Sequence, residues 1–332
     1  MPGLNIFEND AFSLQSMTAA INEMPYTPGY IGSLDLFTEK PVSTTSVSIE
    51  SQSNALGLVQ TSRRGAPGVV IGADKRKIRS FIVPHLQMND EILADEIQGV
   101  REFGSESGLQ TIERVVNGRL AKGARYLDAT LEWHMLGAVK GIILDADNST
   151  TIYNLFTEFG ISQNTVAMAI PTATTNINGK CTDILEAIEN ELGASPVSSV
   201  RVICGANFWR EFTNHPLVKE KFINSTNAIR LAGDPRMQFE FGGLTWERYR
   251  GSIGGTAFVA TDEAYAIPEG VPDLFLTHYA PADYVDTVNT LGQPRYARQV
   301  MKPNQKGIDI EVQSNPLCIC TRPRAVIKLT KV

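Results

Sequence analysis

A cluster of basic side chains is the strongest candidate for a binding site in this sequence. Six bases lie between residues 63 and 79, where the one acid is Asp74. The six are Arg63, Arg64, Lys75, Arg76, Lys77 and Arg79. Such a cluster can keep exposed strands from aggregating, dock onto an acidic surface, or contact DNA. Because the chain has a net charge of −6, we favour docking onto an acidic surface of a neighbouring copy.

The sequence lacks the common templates of a catalytic site. It has neither a G-x-G-x-x-G run nor a G-x-x-x-x-G-K-[ST] run. The stretch from Gly104 to Gly108 has the glycine spacing of a nucleophile elbow, but Glu106 stands where the serine must be. The histidines share no metal-binding spacing, and we expect them to be structural: His85, His134, His215 and His278. We therefore predict no catalytic residue and no cofactor.

One acidic stretch resembles the start of a calcium loop. Asp145, Asp147 and Ser149 alternate in the required way. However, Thr150 and Phe156 occupy the positions at which such a loop needs its glycine and its bidentate glutamate. We expect a hydrogen-bonded hairpin turn and no metal.

Composition and cysteine usage point to an ordinary globular protein. The chain has 332 residues, of which 42% are hydrophobic and 20% charged. The acidic balance argues against a general nucleic-acid binder. The sequence has no secretory signal pattern, and no apolar run approaches the ~20 residues of a membrane span. The cysteines lack zinc-site spacing, so we expect buried free thiols: Cys181, Cys204, Cys318 and Cys320.

The basic cluster lies within a segment, Thr45 to Pro84, that has the pattern of a long two-stranded arm. Val47 and Ile49 alternate with polar residues at its start, as expected for a strand. With ~15–20 residues per strand the arm would reach ~50–65 Å. An isolated hairpin is marginally stable in water, so we expect the arm to lie on another surface.

The strongest helical pattern runs from Leu109 to about Met135, with apolar residues at three- and four-residue steps. Charged residues such as Asp128 and Glu132 take its other faces. Before the arm, we expect a short helix near 11–23 and an extended segment near 30–37 that docks on a partner. After the arm, Asn89 or Asp90 is expected to cap a short helix. The long helix is expected to be followed by a strand pair, Gly141 to Ala146 and Thr150 to Phe156. A mixed α/β region then runs to about 310, and the tail has strand character.

The order of these parts, and several short stretches, resemble a known family. The stretches are Gly141 to Gly160, Cys204 to Lys219, Phe241 to Tyr249, Ala280 to Asp283 and Gln313 to Leu317. Together they are similar to the lambda-type tailed-bacteriophage major capsid protein, the phage major capsid protein E family. The resemblance implies the HK-ninety-seven-type (Johnson) fold, which is an α+β fold.

The resemblance also implies how the chain is divided. Residues 1–44 would form an N-terminal arm and residues 45–88 an extended E-loop. Residues 89–160 would hold the spine helix and the first part of a P-domain. Residues 161–307 would form a mixed α/β A-domain, and residues 308–332 would return to the P-domain as strands.

The implied function is structural: self-assembly into the icosahedral head shell around a double-stranded DNA genome. The implied partners are further copies in hexamers and pentamers, a portal and a decoration protein. Since barely 40 residues precede the arm, we expect scaffolding to be a separate protein. The protein would reside in the virion after assembly in the host cytoplasm. The alternative is an α/β enzyme with a site in 161–307 that uses residues such as Glu240, Glu247 or Asp262.

Overall fold

The computed structural model describes residues 13–24, 29–52, 76–97, 108–193, 195–223, 238–253, 256–304 and 306–332. Its helices are α1 (Leu14–Glu23), α2 (Tyr30–Ser33), α3 (Ala94–Ile97), α4 (Gly108–Lys140), α5 (Leu155–Phe159), α6 (Ile177–Leu192), α7 (Ala206–Asn214) and α8 (Pro216–Ile223). The mixture of these helices with the strands below agrees with the predicted α+β class.

The strands, in chain order, are β1 (Phe37–Pro41), β2 (Ser46–Gln52), β3 (Arg76–Ile82), β4 (Leu86–Leu93), β5 (Ile142–Leu144), β6 (Thr151–Asn154), β7 (Thr165–Ala167), β8 (Ser199–Cys204), β9 (Phe239–Phe241), β10 (Leu244–Arg248), β11 (Ser252–Ile253), β12 (Thr256–Ala257), β13 (Glu263–Glu269), β14 (Phe275–Tyr279), β15 (Tyr296–Met301), β16 (Gly307–Ser314), β17 (Pro316–Cys320) and β18 (Ile327–Thr330). Sequence patterns missed several of them. In β14, for example, every residue is buried, so the strand shows no polar alternation.

Helix α4 is the predicted long helix, and it extends five residues past Met135. Its 33 residues span about 50 Å. A continuous apolar stripe of the helix is buried: Val116, Leu120, Ala124, Leu127, Leu131 and Met135. The helix ends at Lys140 and is followed by Gly141, whose φ of 82° falls in the left-handed region that favours glycine.

A six-stranded sheet forms the larger part of the core. Its order is β7-β18-β13-β8-β10-β9. Trp246 of β10 stacks on Phe212 of α7 with ring centroids 4.0 Å apart. The C-terminal strand β18 lies inside this sheet, between two strands from the 161–307 region. The division of the chain at residue 307 stays a prediction.

A second sheet, of order β15-β16-β4, packs with α1 and the first half of α4 around a separate apolar cluster. The prediction of a helix capped by Asn89 or Asp90 is wrong, because both residues lie in β4. Strand β4 pairs with β16 from Leu86 to Leu93, and this ladder outweighs the local capping signal. A helix, α3, begins only at Ala94.

The strand pair after α4 is shorter than predicted. Strand β6 ends at Asn154, although the sequence favoured a strand to Phe156. The Asn154 side chain accepts hydrogen bonds from the backbone N–H groups of Phe156 (3.1 Å) and Thr157 (3.3 Å). This N-cap starts helix α5 in place of more strand.

Two glycines provide a matched test of the packing. A Cβ on Gly205 would lie 2.0 Å from the Ala260 carbonyl oxygen, whereas a Cβ on Gly118 in α4 meets nothing within 4 Å. We expect Gly205→Ala to lower the free energy of unfolding by about 1–3 kcal/mol through overpacking. Gly118→Ala should raise it by about 0.5–1 kcal/mol. Urea denaturation measures both, and equal effects would contradict the packing around Gly205.

Candidate assembly interface

Strands β2 and β3 form an antiparallel hairpin whose inner face packs on its own chain. Val47 pairs with Phe81 across the hairpin, and both side chains are buried. The Phe81 ring meets the Tyr153 ring edge-on, with centroids 5.3 Å apart. The Tyr153 hydroxyl donates to the Ile82 carbonyl and accepts from the Ile82 N–H, each at 2.8 Å. These contacts fix the base of the predicted arm.

The outer face of the same hairpin exposes two large apolar side chains among serines. Ile78 is 64% exposed and Ile82 is 71% exposed, with exposed Ser80 between them. Alternation along β3 places all three on the face opposite Phe81. We call this the outer hairpin face. Apolar side chains left open on a firmly held strand mark a surface that another molecule can cover.

Of the six bases predicted to contact another subunit, Arg79 is the one whose side chain the structure describes. Arg63, Arg64 and Lys75 lie outside the described residues, and Arg76 and Lys77 are described only as backbone at the start of β3. Arg79 contacts its own chain. Its Nη2 donates to the carbonyl of Phe159 at 3.1 Å, and its guanidinium lies 5.1 Å from the centroid of that ring. A contact of these six residues with another subunit stays a prediction.

The segment near 30–37, predicted to be extended and to dock on a partner, instead packs on its own α4. Residues Tyr30–Ser33 form helix α2. Glu132 is only 4% exposed. Its carboxylate accepts hydrogen bonds from the backbone N–H groups of Ile31 (2.6 Å) and Gly32 (3.0 Å). It also accepts a hydrogen bond from the hydroxyl of Tyr249 at 3.3 Å. The expectation was wrong because a buried acceptor within the chain satisfies these donors.

A second buried carboxylate lies one turn earlier on α4. Asp128 Oδ1 accepts from Arg295 Nη2 at 2.6 Å and from Arg295 Nε at 3.1 Å. Arg295 also donates to the carbonyls of Ile21 (3.0 Å) and Met24 (3.4 Å). This one guanidinium therefore ties α1 and the start of β15 to the spine helix.

The sequence did not reveal an exposed apolar row between β14 and β15. Val285, Val288 and Leu291 are 86%, 64% and 63% exposed. They follow one another at three-residue steps through a 3₁₀ turn at Val285–Thr287 and the bonded turns after it. The 3₁₀ turn ends at Thr287, Val288 has extended backbone and Asn289 has a φ of 59°, so the three are successive exposed positions along a stretch of turns. The three-residue spacing was a readable signal. We call these residues the aliphatic row.

The reactive side chains elsewhere in the fold, the cysteines and His134, are buried. All four cysteines are buried and free, and burial raises the pKa of each thiol. Burial lowers the pKa of His134 to about 4, so the ring is neutral near pH 7. Within the described ranges, no three potential ligands gather into a metal site. The same part of the chain has no helix with the length and apolarity to cross a membrane.

The turn that resembles a calcium loop is hydrogen-bonded within itself, as predicted. Asp147 accepts from the backbone and hydroxyl groups of Ser149 and Thr150 at 2.7–2.9 Å. These bonds hold the pKa of Asp147 well below its usual value. The carboxylate is thus used to stabilise the turn between β5 and β6.

The acids proposed for an enzyme site have separate roles. Asp262 pairs with Lys331 at 2.9 Å, and Glu240 is an exposed residue of β9. Glu247 is buried, 3.5 Å from Arg201. Arg201 makes its closer contact, 2.5 Å, with Glu269. In the described part of the chain, the ion pairs of Asp262 and Glu247 are separate from one another.

Comparison with known proteins decides between the two interpretations. The family model described as phage major capsid protein E matches residues 13–331. The chain belongs to the phage major capsid protein E family. It is 30% identical to the major capsid protein of Pseudomonas phage KPP10 and 25% identical to that of Salmonella phage Felix O1. Each alignment covers 96% of this chain and 96% of the relative.

The solved structures agree with the predicted HK-ninety-seven-type fold. A protein described as a prophage capsid protein of E. coli CFT073 superposes with a TM-score of 0.60 at 15% identity, covering 96% of this chain and 99% of its own. The capsid of a native GTA particle gives 0.50 at 11% identity, covering 92% and 91%. This capsid protein is therefore a structural component of a phage head shell, which confirms the predicted fold and function.

The buried pair in the capsid protein can be tested against an exposed one. Arg295→Met removes the guanidinium that donates to the Asp128 carboxylate, in a site where both side chains are 7% exposed. We expect this to lower the free energy of unfolding by about 3–5 kcal/mol. Lys40→Met breaks an exposed pair with Asp273 of the same 2.6 Å length and should cost about 0–1 kcal/mol. Urea denaturation of the subunit gives both values, and similar losses would contradict the structural role of Arg295.

Glu247 gives the capsid protein a defined pH dependence. Burial and the charge of Glu269 raise its pKa from 4.5 to about 7. The folded state therefore holds this proton when the unfolded chain has lost it, so stability falls as pH rises through that interval. Glu247→Gln should remove this fall and raise the melting temperature at about pH 8 relative to the unmodified chain. Exposed Glu240→Gln is the control, and an equal response from it would contradict the assignment.

Proposed function

We propose that this capsid protein self-assembles, as hexamers and pentamers, into the icosahedral head shell that encloses the double-stranded DNA of a tailed phage. The observation that carries the proposal is the hairpin. Its inner face is anchored on Phe81 and Tyr153, while Ile78 and Ile82 of its outer face are left open. A symmetric shell supplies a neighbour to cover that face in every subunit.

The basic cluster acts in this proposal as a contact between subunits. Its six bases belong to a chain with a net charge of −6, so the neighbouring copies offer acidic surface. An acidic shell also suits the enclosed genome, because each phosphate neutralised by the protein would tighten binding of packaged DNA. The genome is thus enclosed without sequence-specific contacts.

Other proteins take part in assembly under this proposal. Its membership of a capsid protein family supports a structural role for the subunit and not an enzymatic one. A separate scaffolding protein sets the size of the shell, a portal admits the DNA, and a decoration protein binds outside. Assembly takes place in the cytoplasm of the host bacterium.

Expression with and without the phage's other head proteins tests the proposal. Negative-stain microscopy and sedimentation velocity should show rings, tubes or closed shells. A monodisperse monomer or dimer at every salt and protein concentration would contradict it.

The role of the basic cluster is tested by charge reversal. Arg76→Glu with Lys77→Glu should impair assembly, because bases that face acidic neighbours become acids. Far-UV circular dichroism should show a folded subunit. The control is Arg210→Glu with Lys219→Glu, two exposed bases in α7 and α8 whose reversal changes net charge equally. Normal shells from the first variant, or equal defects in both, would rule out docking through the cluster.

A further inference from the structure

We propose that the aliphatic row of one subunit receives the outer hairpin face of a neighbouring copy. The inference rests on the proposed function, since it requires that copies assemble. The aliphatic row is then the surface that the hairpin covers on the neighbouring copy, a surface that could not be identified from the sequence.

Hydrogen bonds hold the row firmly. The Thr287 hydroxyl donates to the carbonyls of Ala282 (2.7 Å) and Tyr284 (2.9 Å), and the Thr290 hydroxyl donates to the Thr287 carbonyl (2.7 Å). After the row, Gly292 donates to the Val42 carbonyl at 2.9 Å. The turn thus satisfies many of its polar groups internally and presents its aliphatic side chains to the outside. A surface held in this way loses little conformational entropy when it is covered.

The surroundings of the row suit a partner that is both apolar and basic. A groove of about 750 Å³ runs between α1 and the row, lined by residues that include Leu14, Leu291 and Tyr296. Among the described residues that line it, Asp286 is the one charged side chain. Asp283, also exposed, lies two residues before the row. The aliphatic row therefore lies beside a groove with mixed polar and apolar walls, and two acids, Asp283 and Asp286, lie next to it.

The hairpin has the complementary chemistry. Its outer face offers Ile78 and Ile82, and the stretch from 63 to 79 carries six bases against one acid. Within one chain, both isoleucines and the row remain exposed, so the described strands of the hairpin do not cover their own row. Two different complementary surfaces on each copy give a heterologous contact, which can close into rings.

Engineered disulfides test this pairing directly. The unmodified chain's cysteines are all buried, so new surface thiols will dominate cross-linking. In assembled particles of the Ile78→Cys/Val288→Cys variant, oxidation should shift the monomer into a ladder of linked subunits on non-reducing gels. The control is Ile78→Cys/Val332→Cys, which moves the second thiol to another exposed position, 77% exposed in the unmodified chain. The control should stay monomeric.

The outcomes separate this inference from the proposed function. Intact particles without a ladder, or an equal ladder in the control, would overturn the pairing and leave the shell function in place. Linkage of Val288→Cys alone to a different head protein would also overturn it, because that protein would then occupy the row. Failure of the unmodified chain to assemble under any condition would contradict the proposed function and this inference together.

Discussion

Two buried carboxylates, one turn apart on the spine helix, organise the subunit. Asp128 holds Arg295, and through it the first helix and strand β15. Glu132 holds the backbone of Ile31 and Gly32, and also the hydroxyl of Tyr249. A charge in such a place is tolerated only where hydrogen bonds replace its hydration. Segments that are far apart in sequence must therefore meet at one face of one helix.

This arrangement determines which surfaces remain for assembly. Residues 29–41 are used within the subunit, on Glu132 and along strand β14, so the described part of the N-terminal segment does not reach out. The outer hairpin face and the aliphatic row remain open. Both rest on firmly held backbone, so the subunit presents preformed surfaces. In a shell each contact is repeated in every copy, so modest individual interfaces are sufficient.

Long, periodic and patterned features could be predicted from the sequence. The spine helix, the base of the hairpin, the buried thiols and the Asp147 turn follow from spacing and residue type. Features set by distant partners could not. Asp128 and Glu132 were assigned to polar faces because periodicity does not show that other segments cover those faces. Asn89 and Asp90 favour a helix start locally, yet the ladder with β16 makes them a strand. The aliphatic row was readable as V-x-x-V-x-x-L, but three-residue spacing is too common to stand alone.

A cryo-EM map of the assembled particle tests the central claim, that surfaces left open in one subunit are covered by other copies. We predict that Ile78 and Ile82 are buried against a neighbouring subunit at most positions of the shell. A map in which both side chains face solvent in every subunit, while the shell is held by other surfaces, would contradict it.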